Sequence, residues 1–215
     1  MRLARTLGKR GTVAIYAGDP AAALRLHRQA AELLDPTTAP ALCLMTQHNL
    51  ADDLVELGRA EEAAAMVAAN SALYAAHDDP DHRLRRSWLL ERIARARERF
   101  AEAEGHLAET RNACLVQGLG YDLALVSLDL AELYLTTGRT AEVKTLARQM
   151  APVFASQGVH REALAALLLF QNAAAGETLT ANFVARLQRY LVLARNDPSF
   201  RFEAGVDGAV GEAKT

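Results

Sequence analysis

The sequence predicts an all-α fold, built as an α-solenoid of about five antiparallel helix hairpins. Three observations lead to this prediction. The same turn and packing residues return every 40 residues, aromatic residues make up only 6% of the chain, and the alternating pattern of β-strands is almost absent. An interior of Leu and Ala suits closely packed helices better than sheets.

Turn dipeptides define the period. Gly18-Asp19, Gly58-Arg59 and Gly138-Arg139 are spaced by 40 and 80 residues, and Glu98-Arg99 fills the remaining slot. Apolar and small residues keep the same register on both sides of each turn. They form these columns: Leu50, Leu90 and Leu130; Leu54, Ala94 and Tyr134; Ala23, Ala63, Ala103 and Val143.

Each block of the repeat is expected to hold two helices of about four turns, and Pro, Gly and Asp separate the blocks. The predicted helices cover 2–17, 20–35, 39–57, 60–77, 81–97, 100–117, 121–137, 140–157, 160–175 and 178–195. They pair into repeats 2–35, 39–77, 81–117, 121–157 and 160–195 of one repeat domain, 1–195. The fifth pair is out of register by two residues, and 196–215 is predicted to be a flexible tail.

The columns also carry a family resemblance. After Asn49 the order is a large residue (Leu50), a small residue (Ala51), a large residue (Leu54), a turn glycine (Gly58) and a small residue (Ala63). The stretch 130–138 repeats this order as far as the turn glycine. This order resembles the tetratricopeptide repeat, whose usual length is about 34 residues. The longer period is similar to the long-helix variety of bacterial regulators and signalling proteins. The resemblance implies a right-handed superhelix whose first helices line a concave groove for a peptide or a partner helix, and enzymatic activity is exceptional in that family.

Composition and charge exclude several classes of protein. The longest apolar run, 163–170, has eight residues, whereas a membrane helix needs about 20. No secretory signal begins the chain, so a cytoplasmic location is expected. Cys43 and Cys114 lack the spacing of a disulfide scaffold or a cysteine-built zinc site, and Cys114 is expected to be a small buried hydrophobe.

Nucleic acid is not a favoured partner. The formal net charge is −2, which gives the whole chain no attraction for phosphate backbones. The most basic stretch, 83–99, holds seven arginines, but they are distributed over all sides of one predicted helix instead of forming an extended stripe.

No catalytic, cofactor or metal site is predicted. The nucleophile, kinase, P-loop and zinc-protease signatures do not occur. The loop His77-Asp-Asp-Pro-Asp-His82 could offer ligands to a divalent ion. Capping of the following helix by its aspartates is the preferred interpretation.

The predicted groove residues are polar or aromatic side chains of the first helices. The candidate binding residues are His48, Asn49, Asp52, Arg85, Trp88, Arg92, Asp129 and Glu132, and further groove positions are Arg5, Lys9, Met45, Leu125 and Leu128. Trp88 is the only Trp and lies one turn from both Arg85 and Arg92, an arrangement typical of a binding hot spot. The alternative is that Trp88 packs between helices and that the arginines are solvated or internally paired.

Two comparisons qualify this groove. Asp52, Arg92 and Glu132 share one column, so adjacent repeats would alternate in charge and neutralise one another. Cochaperones that resemble this fold grip a terminal carboxylate with five residues, whose positions here are Gly8, Thr12, Asn49, Arg85 and Leu89. Only Asn49 and Arg85 have suitable side chains, so a carboxylate clamp is not expected.

The leading functional hypothesis is a non-catalytic scaffold that binds a peptide or partner helix in its groove. The alternative is a sensor, because long-helix repeats resemble the C-terminal regulatory halves of bacterial transcription regulators. A ligand or peptide would change the superhelix there, and a separate helix-turn-helix domain would contact DNA. An end hairpin with exposed apolar surface could also pair with a second copy of the chain.

Overall fold

A computed structural model describes residues 1–156, 161–176, 178–195 and 202. Within these residues the chain forms helices and no strand, which confirms the all-α prediction. The helices are α1 (Arg2–Tyr16), α2 (Pro20–Glu32), α3 (Pro40–Glu56), α4 (Ala60–Ala69), α5 (Ser71–Ala76), α6 (Pro80–Ala96), α7 (Phe100–Gln117), α8 (Gly120–Thr136), α9 (Thr140–Ser156), α10 (Arg161–Ala175) and α11 (Ala181–Ala194). None of the described helices is both long and apolar enough to span a membrane.

The turn inside each of the first four hairpins has one geometry. Gly18, Gly58, Glu98 and Gly138 all have positive φ, at 78°, 71°, 57° and 73°. At the second turn the N–H of Gly58 donates to the Val55 carbonyl at 2.9 Å, and the next N–H reaches back five residues at 2.8 Å. This pair of bonds is the Schellman motif, which favours Gly because L side chains are strained there. The 40-residue period is therefore a repeat of helix-ending turns.

The predicted helix 60–77 is two helices, which is a correction to the sequence prediction. Asn70 separates α4 from α5, and its side-chain Nδ2 donates to the Met66 carbonyl at 2.8 Å. Asn competes in this way for the backbone groups that a continuous helix would use. The preceding hairpin also ends early, since Asp35 accepts the Thr37 N–H at 2.8 Å in a turn and α2 stops at Glu32.

The chain divides into two compact units, Met1–Thr110 and Arg111–Thr215. In unit 1 the first helices of successive hairpins contact one another, α1 on α3 and α3 on α6, while α2 packs on α3 and α4 on α6. The core of unit 1 is built largely from Leu, with Leu44, Leu54 and Leu89 each 1% exposed.

Unit 1 also buries a polar pair between α2 and α3. His27 Nδ1 lies 2.6 Å from Asp53 Oδ2, and both side chains are almost completely buried. The His27 ring lies against Gly11 of α1, where a Cβ atom would come within 2.4 Å of His27 Nε2. A glycine is required at this position for α1 and α2 to approach so closely.

Unit 2 has a different order of contacts. Helix α8 packs on α9, α9 on α10 and α10 on α11, and α11 packs back on α8. Phe202 packs edge-on against Phe183 and Tyr190 of α11, with ring centroids 5.9 and 5.3 Å apart. The remainder of the predicted tail, 196–215, lies outside the described residues.

Candidate functional site

Unit 1 contains a cavity of about 610 Å³ between α1, α3, α5 and α6. Its apolar lining comes from α3 and α5: Ala41, Leu42, Leu44, Met45 and Tyr74. Gly8 of α1 also lines the cavity, and a Cβ atom there would meet nothing within 4 Å. The volume and the mainly apolar lining are typical of a ligand site, to which a few polar groups add specificity.

The charged groups around the cavity are mainly cationic. Arg5 and Lys9 extend from α1 and Arg85 from α6, and all three side chains are exposed. None of the three has an ion-pair partner within the described residues. Asp81 is the one carboxylate in the lining, so the cavity favours an anionic ligand.

His48 and Tyr74 form a hydrogen-bonded pair in the lining, with His48 Nδ1 and Tyr74 Oη 3.2 Å apart. Burial, and secondly the positive charge of Arg85, lowers the pKa of His48 to about 4, and burial raises the pKa of Tyr74 to about 12. Both groups are therefore neutral at pH 7. Because the hydroxyl has no other acceptor among the described residues, we assign it as donor to Nδ1, which puts the histidine proton on Nε2.

The His27–Asp53 pair lies directly behind the cavity wall. His27 Nε2 is 3.1 Å from the carbonyl oxygen of Gly8 and 3.4 Å from Asn49 Nδ2, and both of these residues line the cavity. The buried pair thus fixes α1 and α3 relative to each other on either side of the cavity.

Sequence reasoning missed this pair, although the register contained a signal for it. His27 stands in a column with Val67, Leu107 and Ala147, and Asp53 stands in a column with Ile93 and Leu133. A histidine and a carboxylate at two core positions indicate a buried pair, since neither would be buried without a partner.

Several predicted groove residues come together at this cavity. His48, Asn49 and Arg85 line it, as do Arg5, Lys9 and Met45, which were further groove positions. Trp88 is half-buried on α6 and is outside the lining.

Asp52 and Arg92 are joined in a charged cluster on neighbouring helices. Arg92 donates to the carboxylates of Asp52 and Glu56 and is therefore internally paired, as the alternative interpretation of the arginines expects. Burial keeps the pKa of Asp52 above its usual value, although Arg92 opposes the shift. This cluster supplies part of the alternating charge that the sequence predicts.

The candidate residues of unit 2 lie on α8, on which α11 packs. Asp129 accepts a hydrogen bond from Gln188 Nε2 of α11 at 2.8 Å, and Leu128 is 0% exposed. The expectation that Leu128 faces a groove is therefore wrong, because α11 packs on α8. Glu132 is half-buried on the same helix.

The loop 77–82 caps a helix, as the sequence predicts. Asp79 is the N-cap of α6, and its Oδ1 accepts the His82 N–H at 3.1 Å. Among the described residues, no group of three His, Cys, Asp or Glu side chains is arranged to hold a metal ion. Burial raises the pKa of Cys43 and of Cys114, the latter to about 12, so both thiols are protonated and are weak nucleophiles.

In comparisons with protein-family models, curated proteins and solved structures, nothing matched this chain.

Proposed function

We propose that this chain is a non-catalytic binding protein, a tetratricopeptide-like α-solenoid that holds a peptide or a partner helix. The observation that carries the proposal is the cavity of about 610 Å³ bounded by the first helices α1, α3 and α6. Its apolar lining can receive anchor side chains, and its exposed arginines and lysine can orient a polar backbone or an acidic group.

Two features of unit 1 support the solenoid part of the proposal. The first helices contact one another in chain order, and the same helix-ending turn recurs at the repeat distance. Stacked hairpins with these properties form extended concave surfaces, which repeat proteins use to bind partners.

The experiment fills the cavity without damaging the helix that borders it. Gly8→Leu adds a side chain where a Cβ meets open space, and Gly105→Leu makes the same change at a second open, helical glycine away from the cavity. Peptides selected from a displayed random library should bind Gly8→Leu at least tenfold more weakly than the wild type. Gly105→Leu should bind them normally, and equal binding by both variants would contradict the proposal.

A second candidate function is the ligand-sensing domain of a bacterial transcription regulator. One observation favours it: the cavity volume lies within the range of about 300–1,000 Å³ found for small-molecule sites. A screen of small organic anions by thermal shift tests this candidate. Compounds that raise the Tm of the wild type and Gly105→Leu but not of Gly8→Leu would favour the sensor, and a screen without such compounds would favour the scaffold.

A further inference from the structure

The 40-residue register relates α3, which lines the cavity, to α8 of unit 2, two repeats later. Leu42 and Asn49 of the cavity lining correspond to Asp122 and Asp129 of α8, and His48 corresponds to Leu128. Two stretches of helix that occupy the same place in the repeat can therefore be compared residue by residue.

In unit 2 this face of the first helix carries a docked helix. Arg195, directly after α11, donates from Nη1 and Nη2 to the two carboxylate oxygens of Asp122 at 2.7 and 3.1 Å. Gln188 donates to Asp129 at 2.8 Å. Because the later residue of α11 pairs with the earlier residue of α8, the two helices are antiparallel.

The buried face of α11 is an apolar stripe at helical spacing. Its members are all buried, at 3% exposure or less: Val184, Leu187, Tyr190, Leu191 and Ala194. The stripe and the two polar contacts together make α11 an amphipathic helix whose donors match the carboxylates of α8.

The corresponding face of α3 is uncharged, and the side chains beside it on α1 and α6 are cationic. Leu42 and Asn49 replace the two aspartates, and the cations Arg5, Lys9 and Arg85 surround the lining. An occupant that docks here as α11 docks on α8 would need carboxylates that reach these cations, in place of the donors Arg195 and Gln188 of α11.

We propose that the cavity of unit 1 binds an acidic amphipathic helix of a partner protein, antiparallel to α3. This inference rests on the proposed function and specifies its ligand. The apolar stripe of the partner packs on Leu42 and Met45, its carboxylates pair with Arg5 and Lys9 on one side and Arg85 on the other, and His48 donates a hydrogen bond from Nε2.

Two peptides that differ only in charge test the proposal. The first is residues 181–195 with acetyl and amide ends and four changes, Arg186→Glu, Gln188→Glu, Arg189→Glu and Arg195→Glu. The second is the unchanged sequence. The acidic peptide should bind the full chain at least tenfold more tightly in calorimetry, and circular dichroism should show helix forming on binding.

Matched variants of the protein assign that binding to the cavity. The double variant Arg5→Gln/Lys9→Gln should weaken binding of the acidic peptide at least fivefold. Arg10→Gln, which removes an exposed charge of α1 outside the cavity lining, should change it less than twofold. A spin label on the peptide N-terminus should broaden the amide signals near Glu56 most strongly, and a label on its C-terminus should broaden those near Ala41.

Three results would overturn the inference: no binding of the acidic peptide, equal binding of both peptides, or binding that Arg5→Gln/Lys9→Gln leaves unchanged. Broadening in the reverse order would overturn the antiparallel orientation. If displayed peptides that lose binding to Gly8→Leu are neither acidic nor helical, the inference fails while the proposed binding function stands.

Discussion

Units 1 and 2 follow the same 40-residue register, but the equivalent faces of their first helices have different surroundings. In unit 1 a cavity lies against α3, and cations without ion-pair partners in the described part of the chain surround it. In unit 2 the face at the same repeat positions is covered by α11, with Asp122 and Asp129 held by its polar groups. The repeated turns determine where the hairpins form. A few polar residues at equivalent repeat positions determine whether another helix packs on the first helix of a hairpin.

The largest expected effect comes from breaking the buried pair of unit 1. Asp53→Ile should destabilise unit 1 by about 3 kcal/mol, because His27 loses its buried partner. Hydrogen exchange should show lost protection in α1 to α3 and unchanged protection in α8 and α11.

A compensating double variant sharpens this test. His27→Val with Asp53→Ile installs the residues that occupy the same columns one repeat later, Val67 and Ile93. Apolar replacement of a buried pair is often neutral, so the double variant should recover at least half of the lost stability in urea denaturation. A double variant as unstable as Asp53→Ile would contradict the interpretation of positions 27 and 53 as core positions that accept the apolar residues of the next repeat.

His48 should make the stability of the protein depend on pH, whereas Leu128 at the equivalent position of α8 has no group that titrates. His48 has a pKa of about 4 in the folded chain, below the usual value of about 6.5. The unfolded chain therefore takes up the proton first as the pH falls, and stability should decrease between about pH 6.5 and 4, by about 2–3 kcal/mol in total.

His48→Leu, which installs the residue found at the equivalent position 128, removes this titration. Urea denaturation at several pH values should show a shallower decline for the variant than for the wild type. Parallel curves would contradict the assignment of His48 as a buried neutral group.

Two glycines of α1 have different surroundings: Gly11 lies against the His27 ring, and Gly8 borders the cavity. Gly11→Ala should cost about 1–3 kcal/mol, because the new methyl group meets the His27 ring. Gly8→Ala should raise the free energy of unfolding by up to about 1 kcal/mol, since Ala favours the helix and the cavity has room for it. The two denaturation midpoints should move in opposite directions, and a shift in the same direction would argue against the open space beside Gly8.

The smallest effect is expected at the repeated turn. Glu98 is exposed and adopts the positive φ that Gly58 and Gly138 adopt in the equivalent turns. Glu98→Gly should therefore raise stability by about 0.5–1 kcal/mol, and Gly58→Ala should lower it by about 1 kcal/mol. Thermal denaturation measures both, and a lower Tm for Glu98→Gly would show that the side chain contributes more than the backbone strain costs.

The sequence predicted the hairpins and turns well because their signals are local. A Gly at a fixed distance from an apolar column is enough to end a helix, and Asp79 needs only its own helix to act as a cap. The break at Asn70 was missed because one side-chain hydrogen bond decides it within a strongly helical segment.

The site was predicted only in part because it depends on contacts between distant residues. The placement of His48, Asn49 and Arg85 around one cavity followed from the register of the first helices. The docking of α11 on α8 did not, since the last hairpin is out of register and the pairing of Arg195 with Asp122 spans 73 residues. The hot-spot role of Trp88 remains a prediction.

The most direct test of the binding account is a calorimetric titration of the acidic helix peptide into the wild type, Gly8→Leu and Gly105→Leu. The account predicts one peptide per chain for the wild type and Gly105→Leu with the same Kd, and at least tenfold weaker binding by Gly8→Leu. Equal affinity for all three proteins would place binding outside the cavity and contradict the account.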